Sequence, residues 1–109
     1  MTYIPDRGDV IWLDFDPTKG SEIQKTRPAL VLSPKPFNTK IKLALVAPIT
    51  TTIRGHGFEV IFSGKTVSGA VLCQQVRSVD YRARNIMFVE KASKAIMEDV
   101  LKKVRVLVS

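Results

Sequence analysis

Short apolar runs separated by turn-forming residues constrain the fold of this chain more than any other feature. The runs are rich in β-branched and aliphatic residues, and glycine, proline or serine bounds most of them, as is typical of strands. The predicted strands cover residues 9–15, 27–33, 42–50, 58–62, 70–77 and 86–89. Residues 16–20 and 50–57 are predicted loops. Many short strands at close spacing predict a small, strongly bent sheet or barrel.

The period of the apolar residues changes after residue 93, from the alternation of a strand to the spacing of a helix. One helical stripe is formed by Ile96, Met97, Val100, Leu101 and Val104, followed by Leu107 or Val108. Ser93 is a predicted N-cap, and Lys102, Lys103 and Arg105 complement the dipole at the C-terminal end. The sequence therefore predicts a mainly β fold with a C-terminal helix packed on the sheet.

The first predicted strand is apolar on both faces. Val10 and Trp12 alternate with Ile11, Leu13 and Phe15. A strand with one face in water would instead alternate apolar with polar residues. We therefore expect one face of this strand in the core and the other covered at an interface, which would favour a dimer.

Length and composition indicate one domain, residues 1–109, with 45% hydrophobic residues. No apolar run reaches the roughly 20 residues that a membrane span needs. The first residues lack the apolar core of an export signal, so the cytoplasm is the expected location. Cys73 is the single cysteine and is expected to be a small buried hydrophobe. With one cysteine and one histidine, no zinc site is expected, and no cofactor is predicted.

The chain carries a net charge of +7, and the excess is uneven. Residues 1–40 hold six basic and five acidic residues, a net charge of +1, whereas residues 41–109 hold eleven basic and five acidic, a net charge of +6. Such an excess attracts polyanions without specifying a sequence. Charge alone is equally compatible with a basic protein that binds no nucleic acid.

Several segments together resemble the MazF/PemK family of bacterial toxins, which are endoribonucleases. The resemblance covers most of the chain and lies in residues 8–22, 27–33, 47–51, 57–60 and 72–78. It implies an SH3-like barrel of the PemK/CcdB toxin type that works as a homodimer in the bacterial cytoplasm. It also implies a metal-independent, sequence-selective endoribonuclease for single-stranded RNA. As the toxin of a type II toxin–antitoxin module, it would be neutralised by an acidic, MazE-like antitoxin.

The resemblance assigns Arg27 and Thr50 as catalytic residues and Glu22 as the loop glutamate of the site. Taken alone, Arg27 would be a surface arginine at a strand start and Thr50 an ordinary residue at a strand end. A guanidinium suits a phosphate because it presents a fork to two oxygens. Glu22 would transfer a proton or orient Arg27, and the alternative is a solvated loop charge. Attack by the RNA 2′-OH would leave a 2′,3′-cyclic phosphate and a 5′-OH.

The candidate RNA contacts lie in the loops and at the strand ends. They are Lys19, Lys25, Thr51, Arg54, His56, Gln74 and Arg77. Some relatives have Asp where this chain has Gln74, and glutamine cannot act as a general base but can read a base edge. Gln74 and Gln75 are expected on opposite faces of one strand. The glycines on both sides of His56 favour the alternative that it is a mobile loop histidine, and Arg77 can equally be a solvated arginine.

Two other functions remain compatible with this fold. One is a non-catalytic toxin like CcdB, which traps DNA gyrase, and the other is an RNA-binding barrel without catalysis. Arg27, Thr50 and the glutamate-bearing loop favour the endoribonuclease. Incubation with RNA in EDTA separates the three, since cleavage would exclude both alternatives.

Overall fold

A computed structural model describes residues 2–15 and 26–109. The strands are β1 (Asp9–Asp14), β2 (Thr26–Val31), β3 (Ala44–Thr50), β4 (Glu59–Ser63), β5 (Ser68–Leu72), β6 (Arg77–Val79) and β7 (Met87–Lys91). The helices are α1 (Lys35–Ile41) and α2 (Lys94–Val108), with 3₁₀ turns at Cys73–Gln75 and Tyr81–Ala83. The predicted mainly β fold with a C-terminal helix is confirmed.

The strands within these residues form one antiparallel sheet in the order β4-β5-β3-β2-β1-β7. Strand β3 pairs with two different strands along its length. Ile49 and Thr50 pair with β5, whereas residues 44–46 pair with β6. Strands β5 and β6 thus follow one edge of β3 in succession, separated by a 3₁₀ turn. This arrangement bends the sheet strongly, as the sequence predicts.

Both faces of the central strands are buried within the chain. Val10 and Leu30 belong to a core cluster that also contains residues of α2. Their neighbours Ile11, Leu13 and Val31 belong to a second cluster on the opposite face, packed against Tyr3, Ile4 and Ile86. The expectation that one face of β1 is covered at an interface is therefore wrong, because the N-terminal segment and the residues before β7 cover it.

Helix α2 begins where the capping signal predicts. The Ser93 hydroxyl accepts a hydrogen bond from the backbone N–H of Ile96 at 3.2 Å. Met97 and Val100 are buried on the sheet, whereas Val106 and Val108 at the far end are exposed. No helix within residues 2–15 and 26–109 is long and apolar enough to cross a membrane.

Helix α1 is absent from the sequence prediction, which used Pro34 and Pro36 only to end the preceding strand. Proline is well tolerated in the first turn of a helix, where its missing N–H costs no intrahelical bond. The helix is anchored by the fully buried Asn38, whose amide donates to the carbonyls of Pro5 and Ser33. Lys42 then adopts a left-handed φ of 69°, so β3 begins at Ala44 rather than at residue 42.

The single strand predicted over residues 70–77 is also wrong. Strand β5 ends at Leu72, and Cys73–Gln75 form a 3₁₀ turn that buries Cys73 completely. The N–H of Cys73 donates to the carbonyl of Phe58 at 3.1 Å. Gln74 and Gln75 therefore do not alternate across a sheet, and both are exposed.

Candidate active site

Two of the three residues proposed as catalytic, Arg27 and Thr50, lie in one concave pocket of about 550 Å³. The pocket is bounded by the ends of β1, β2 and β3 and by the turn between β4 and β5. Its lining residues are Trp12, Thr26, Arg27, Pro28, Ile49, Thr50, Thr51, Thr52, Thr66, Val67 and Ser68. Arg27 and Thr50 are far apart in sequence, so tertiary structure is what brings them together.

Strand register explains why Arg27 and Thr50 meet. Strands β2 and β3 are antiparallel, with Ala29 opposite Pro48. That pairing ends at Ala29 and Pro48, and Arg27 and Thr50 each lie two residues beyond it, toward the same end of the two strands. Both residues are half-buried. They therefore lie at neighbouring strand ends, where they are held by β2 and β3 yet open to solvent.

The Thr50 side chain is oriented by the backbone that follows it. Its Oγ1 accepts a hydrogen bond from the N–H of Thr52 at 3.1 Å. A hydroxyl that accepts in this way keeps its own proton to donate. The Thr50 hydroxyl is therefore suited to donate a hydrogen bond to a phosphate oxygen beside Arg27.

Gly69 packs against Thr50 from β5. An added Cβ at Gly69 would lie 2.2 Å from the Thr50 carbonyl oxygen, and the residue has a φ of +153°. Glycine is required here both for this close approach and for the backbone conformation. This part of β5 fixes the position of Thr50.

A second group of candidate residues surrounds the carboxylate of Glu59. That carboxylate accepts the backbone N–H groups of Arg54 at 3.1 Å and Gly55 at 2.7 Å. The His56 Nε2 lies 3.6 Å from one Glu59 oxygen and 3.4 Å from the Gln74 amide. The structure thus brings His56 and Gln74 together and holds the backbone of Arg54 beside them.

The remaining candidates lie apart from these two groups or outside the described residues. The Arg77 guanidinium lies 5.3 Å from the centre of the Phe15 ring, in a cation–π contact, and its side chain is exposed. Thr51 lines the pocket with Thr50. Lys19, Glu22 and Lys25 fall in residues 16–25, outside the described part of the chain.

Comparison with known proteins shows which family this chain belongs to. Residues 6–108 match the family described as PemK-like, MazF-like toxins of type II toxin–antitoxin systems. The chain belongs to this family. It is 52% identical over 82 residues to the endoribonuclease toxin MazF of Escherichia coli (strain K12), covering 75% of this chain and 74% of that protein.

Solved structures of the family superpose closely on this toxin. The crystal structure of MazF from Deinococcus radiodurans aligns with a TM-score of 0.88 and 37% identity, covering 98% of both chains. A MazE–MazF complex from the same organism aligns with a TM-score of 0.87 and 34% identity, covering 99% of this chain and 98% of that one. The fold of this PemK/MazF toxin is therefore of the PemK/CcdB type, a mainly β half-barrel sheet with a C-terminal helix.

Three residues that organise the site in this toxin have no role in the sequence prediction. They are Glu59, Gly69 and Glu90. Glu90 on β7 accepts the N–H groups of Lys65, Thr66 and Val67 at 2.7, 2.9 and 2.8 Å, and two of those residues line the pocket. Gly69 lies just before the strand predicted over residues 70–77, so its close approach to β3 was not predicted.

The single cysteine of this toxin is not a reactive thiol. Cys73 is fully buried, as the sequence predicts, and burial raises the pKa of its thiol to about 11. The thiol is therefore protonated at neutral pH and is a poor nucleophile. Within residues 2–15 and 26–109, no group of three or more His, Cys, Asp or Glu side chains is placed to hold a metal ion.

Proposed function

We propose that this toxin cleaves single-stranded RNA without a metal, selectively by sequence, at the pocket that holds Arg27 and Thr50. Family membership and the relatives named as endoribonucleases make the chain an endoribonuclease toxin of a type II toxin–antitoxin system. The observation that carries the proposed site is the convergence of Arg27 on β2 and Thr50 on β3 in one pocket.

The proposed mechanism begins with attack of the RNA 2′-OH on the adjacent phosphate. Negative charge builds on the phosphate oxygens as the new bond forms. Arg27 stabilises that charge by donating two parallel N–H hydrogen bonds to the phosphate oxygens, and the Thr50 hydroxyl donates one neutral hydrogen bond. The attacking 2′-OH gives up its proton to Glu22 or to water. The bond to the 5′ oxygen then breaks and that oxygen takes up a proton, again from Glu22 or from water, which leaves a 2′,3′-cyclic phosphate and a 5′-OH.

Proton transfer in this scheme is assigned to the segment between β1 and β2, outside the described residues. Glu22, in that segment, serves as the proton-transfer group or as the partner that orients Arg27. A carboxylate beside a phosphate repels it, so neither role places Glu22 in direct contact with the phosphate oxygens. Replacing Glu22 with Gln distinguishes proton transfer from orientation of Arg27. Loss of proton transfer changes the pH profile of the cleavage rate, whereas loss of orientation lowers the cleavage rate at every pH.

The remaining candidates are proposed to contact RNA on either side of the cut. Thr51 lies in the pocket, whereas Arg54, His56 and Gln74 form the neighbouring polar group and Arg77 lies near Phe15. Lys19 and Lys25 carry positive charge on the loop before β2, where they attract the RNA backbone. Substituting any of these cations should weaken binding and reduce its salt dependence.

Cleavage of RNA in excess EDTA tests the proposed chemistry. One substrate is a single-stranded RNA containing a site that the toxin cuts, and a matched substrate carries a single 2′-deoxy nucleotide immediately 5′ of the cut. We expect the first to yield a 2′,3′-cyclic phosphate, or its opened 3′-phosphate, and a 5′-OH, and the second to resist. Efficient cutting of the deoxy substrate, or a requirement for metal, would exclude this mechanism.

We also propose that the toxin acts in the bacterial cytoplasm as a homodimer bound by an acidic antitoxin. The antitoxin proposal is supported by similarity to the MazF of the MazE–MazF complex and by the +6 charge of residues 41–109. The dimer proposal is supported by apolar side chains left exposed at the end of α2, Val106, Leu107 and Val108. Light scattering at micromolar concentration should give twice the chain mass, and a monomer mass would count against the dimer.

A further inference from the structure

The Glu59 carboxylate is the anchor of the loop between β3 and β4. Its side chain is only 2% exposed, and a buried carboxylate is costly unless it is hydrogen-bonded. The N–H groups of Arg54 and Gly55 supply those bonds. Burial acts to raise the pKa of Glu59, but the Gly55 and Arg54 N–H groups outweigh it and hold that pKa below its ordinary value. Glu59 is therefore ionised at neutral pH.

The His56 ring is oriented on both sides. Its Nδ1 accepts the backbone N–H of Phe58 at 3.2 Å, so a neutral ring carries its hydrogen on Nε2. That Nε2–H faces the Glu59 carboxylate at 3.6 Å and the Gln74 amide at 3.4 Å. His56 is thus held as a hydrogen-bond donor toward Gln74, while 43% of its side chain stays exposed.

A donor at His56 determines which way the Gln74 amide points. The structure sets the amide nitrogen of Gln74 3.4 Å from His56 Nε2, and with the ring hydrogen on Nε2 this contact places two donors against each other. The two ends of an amide have nearly the same shape, so the stable orientation is the one turned over, with Oε1 against the ring and NH₂ away from it. Gln74 is exposed, so its two N–H groups face the solvent side.

The chain between the catalytic pocket and His56 is short. Thr52 lines the pocket, and four residues further on, His56 can lie at most about 14 Å from it. The contact between His56 and Gln74 therefore lies near the side of the pocket that Thr52 lines.

We propose that Glu59 and His56 orient the Gln74 amide as a hydrogen-bond donor, which selects a nucleobase presenting an acceptor at one position of the cleavage site. At the 4-position of a pyrimidine or the 6-position of a purine, the carbonyl oxygens of uracil and guanine accept such a donor, whereas the amino groups of cytosine and adenine at the same positions set donor against donor. Gln74 is the residue that touches the base, and His56 and Glu59 are positioning residues. This inference rests on the proposed RNA cleavage and adds the origin of its base preference.

Two substitutions test the inference by reversing the polarity of one contact each. Gln74→Glu replaces the NH₂ donor by an acceptor. Glu59→Gln conserves volume and still offers an oxygen to Arg54 and Gly55, but its NH₂ confronts the Nε2–H of His56. Gln75→Glu is the matched control, since Gln75 is an exposed glutamine of the same 3₁₀ turn and undergoes the same change of charge.

The readout is the distribution of bases around the cut when each purified variant cleaves an RNA pool of random sequence. We expect both test variants to change the preference at one position by about tenfold, the effect of one hydrogen bond, and Gln75→Glu to leave it unchanged. If Gln74→Glu and Gln75→Glu give the same distribution as the wild type, the inference is overturned. Should Glu59→Gln fail to fold, judged by its circular dichroism, Gln74→Glu decides alone.

The same experiment separates failure of this inference from failure of the proposed function. A wild-type protein that leaves the pool intact would remove the proposed function and this inference with it. A wild type that cuts, with an unchanged distribution in Gln74→Glu, would remove only the inference. Arg27→Ala supplies the contrast, because losing phosphate stabilisation lowers cleavage at every sequence without shifting the preference.

Discussion

At the scale of single residues, Arg27 and Thr50 are expected to contribute unequally to the rate of RNA cleavage. Arg27→Ala should retain the fold but lower kcat/KM on RNA by about two to four orders of magnitude, because it removes the group that stabilises developing charge. Thr50→Ala should lose less, since a neutral hydrogen bond is weaker than a charged one. Arg82→Ala is the control, because Arg82 lies outside the pocket and its side chain pairs with Asp80 at 3.5 Å. Near-wild-type cleavage by a folded Arg27→Ala protein would exclude the assignment.

Gly69 is a second residue whose identity the site requires. Gly69→Ala brings a Cβ to 2.2 Å from the Thr50 carbonyl oxygen, so β3 or β5 must shift. We expect a loss of about 1–3 kcal/mol in the free energy of unfolding, together with reduced cleavage, since Thr50 moves. Urea titration measures the first and RNA cleavage the second.

Gly57→Ala is the matched control for that substitution. An added Cβ at Gly57 meets nothing within 4 Å, and the residue has no positive φ that would oppose a side chain. Its stability should therefore stay within about 1 kcal/mol of the wild type. If Gly69→Ala is as stable and active as Gly57→Ala, the contact with Thr50 does not constrain the site.

At the scale of elements, the turn between β4 and β5 is held by hydrogen bonds to β7, a strand distant from it in sequence. Glu90 on β7 accepts three consecutive N–H groups of this turn, and the turn closes on itself through Gly64 N–H and the Val67 carbonyl at 2.8 Å. Thr66 and Val67 line the pocket that holds Arg27. One carboxylate thus connects β7 to a wall of the candidate active site.

The hydrogen bonds of the Glu90 carboxylate, here called the Glu90 clamp, predict how the stability of the fold depends on pH. Burial acts to raise the pKa of Glu90, but the N–H groups of Val67, Thr66 and Lys65 hold it below the ordinary value of 4.5. Because the pKa is lower in the folded state than in the unfolded state, the stabilisation is complete above the ordinary value and is lost as pH falls through the folded-state pKa. Stability contributed by Glu90 therefore disappears on acidification.

Thermal unfolding followed from pH 7 down to pH 3 measures that contribution. Glu90→Gln should unfold at a lower temperature than the wild type at pH 7, and the difference should shrink as the pH falls, because the stabilisation by the ionised carboxylate is lost as the pH passes through the lowered folded-state pKa. Asp6, Asp14 and Glu59 also have lowered pKa values, so both proteins lose stability in acid and only the difference between them reports on Glu90. A difference that is independent of pH would contradict the clamp.

At the scale of the whole molecule, the net charge of +7 makes both proposed partners competitors. RNA and an acidic antitoxin segment neutralise the same positive surface, so we expect their binding to be mutually exclusive and both affinities to fall as salt rises. Titrating the antitoxin segment into toxin bound to a labelled, uncleavable RNA should release the RNA. A stable ternary complex with the RNA still bound would refute direct competition.

The sequence by itself determined most of the elements. Alternation predicts β1, β2 and β4, and the helical stripe with its Ser93 cap predicts α2, because period and capping are local properties of the chain. Helix α1 and the 3₁₀ turn at Cys73–Gln75 were missed, because both are stabilised by distant partners: Asn38 by Pro5, and Cys73 by Phe58. A local pattern carries no information about such partners.

For the active site, the sequence identified candidate residues but not their arrangement in space. Arg27 and Thr50 were proposed from the family resemblance, and nothing in their own segments brings them together. The antiparallel pairing of β2 with β3 does so, because it sets the start of one strand beside the end of the other. Likewise, Glu59, His56 and Gln74 meet only because a loop, a strand end and a 3₁₀ turn converge. Hydrogen bonding between side chains depends on distance and direction in space, which sequence separation does not encode, so tertiary structure alone decided these contacts.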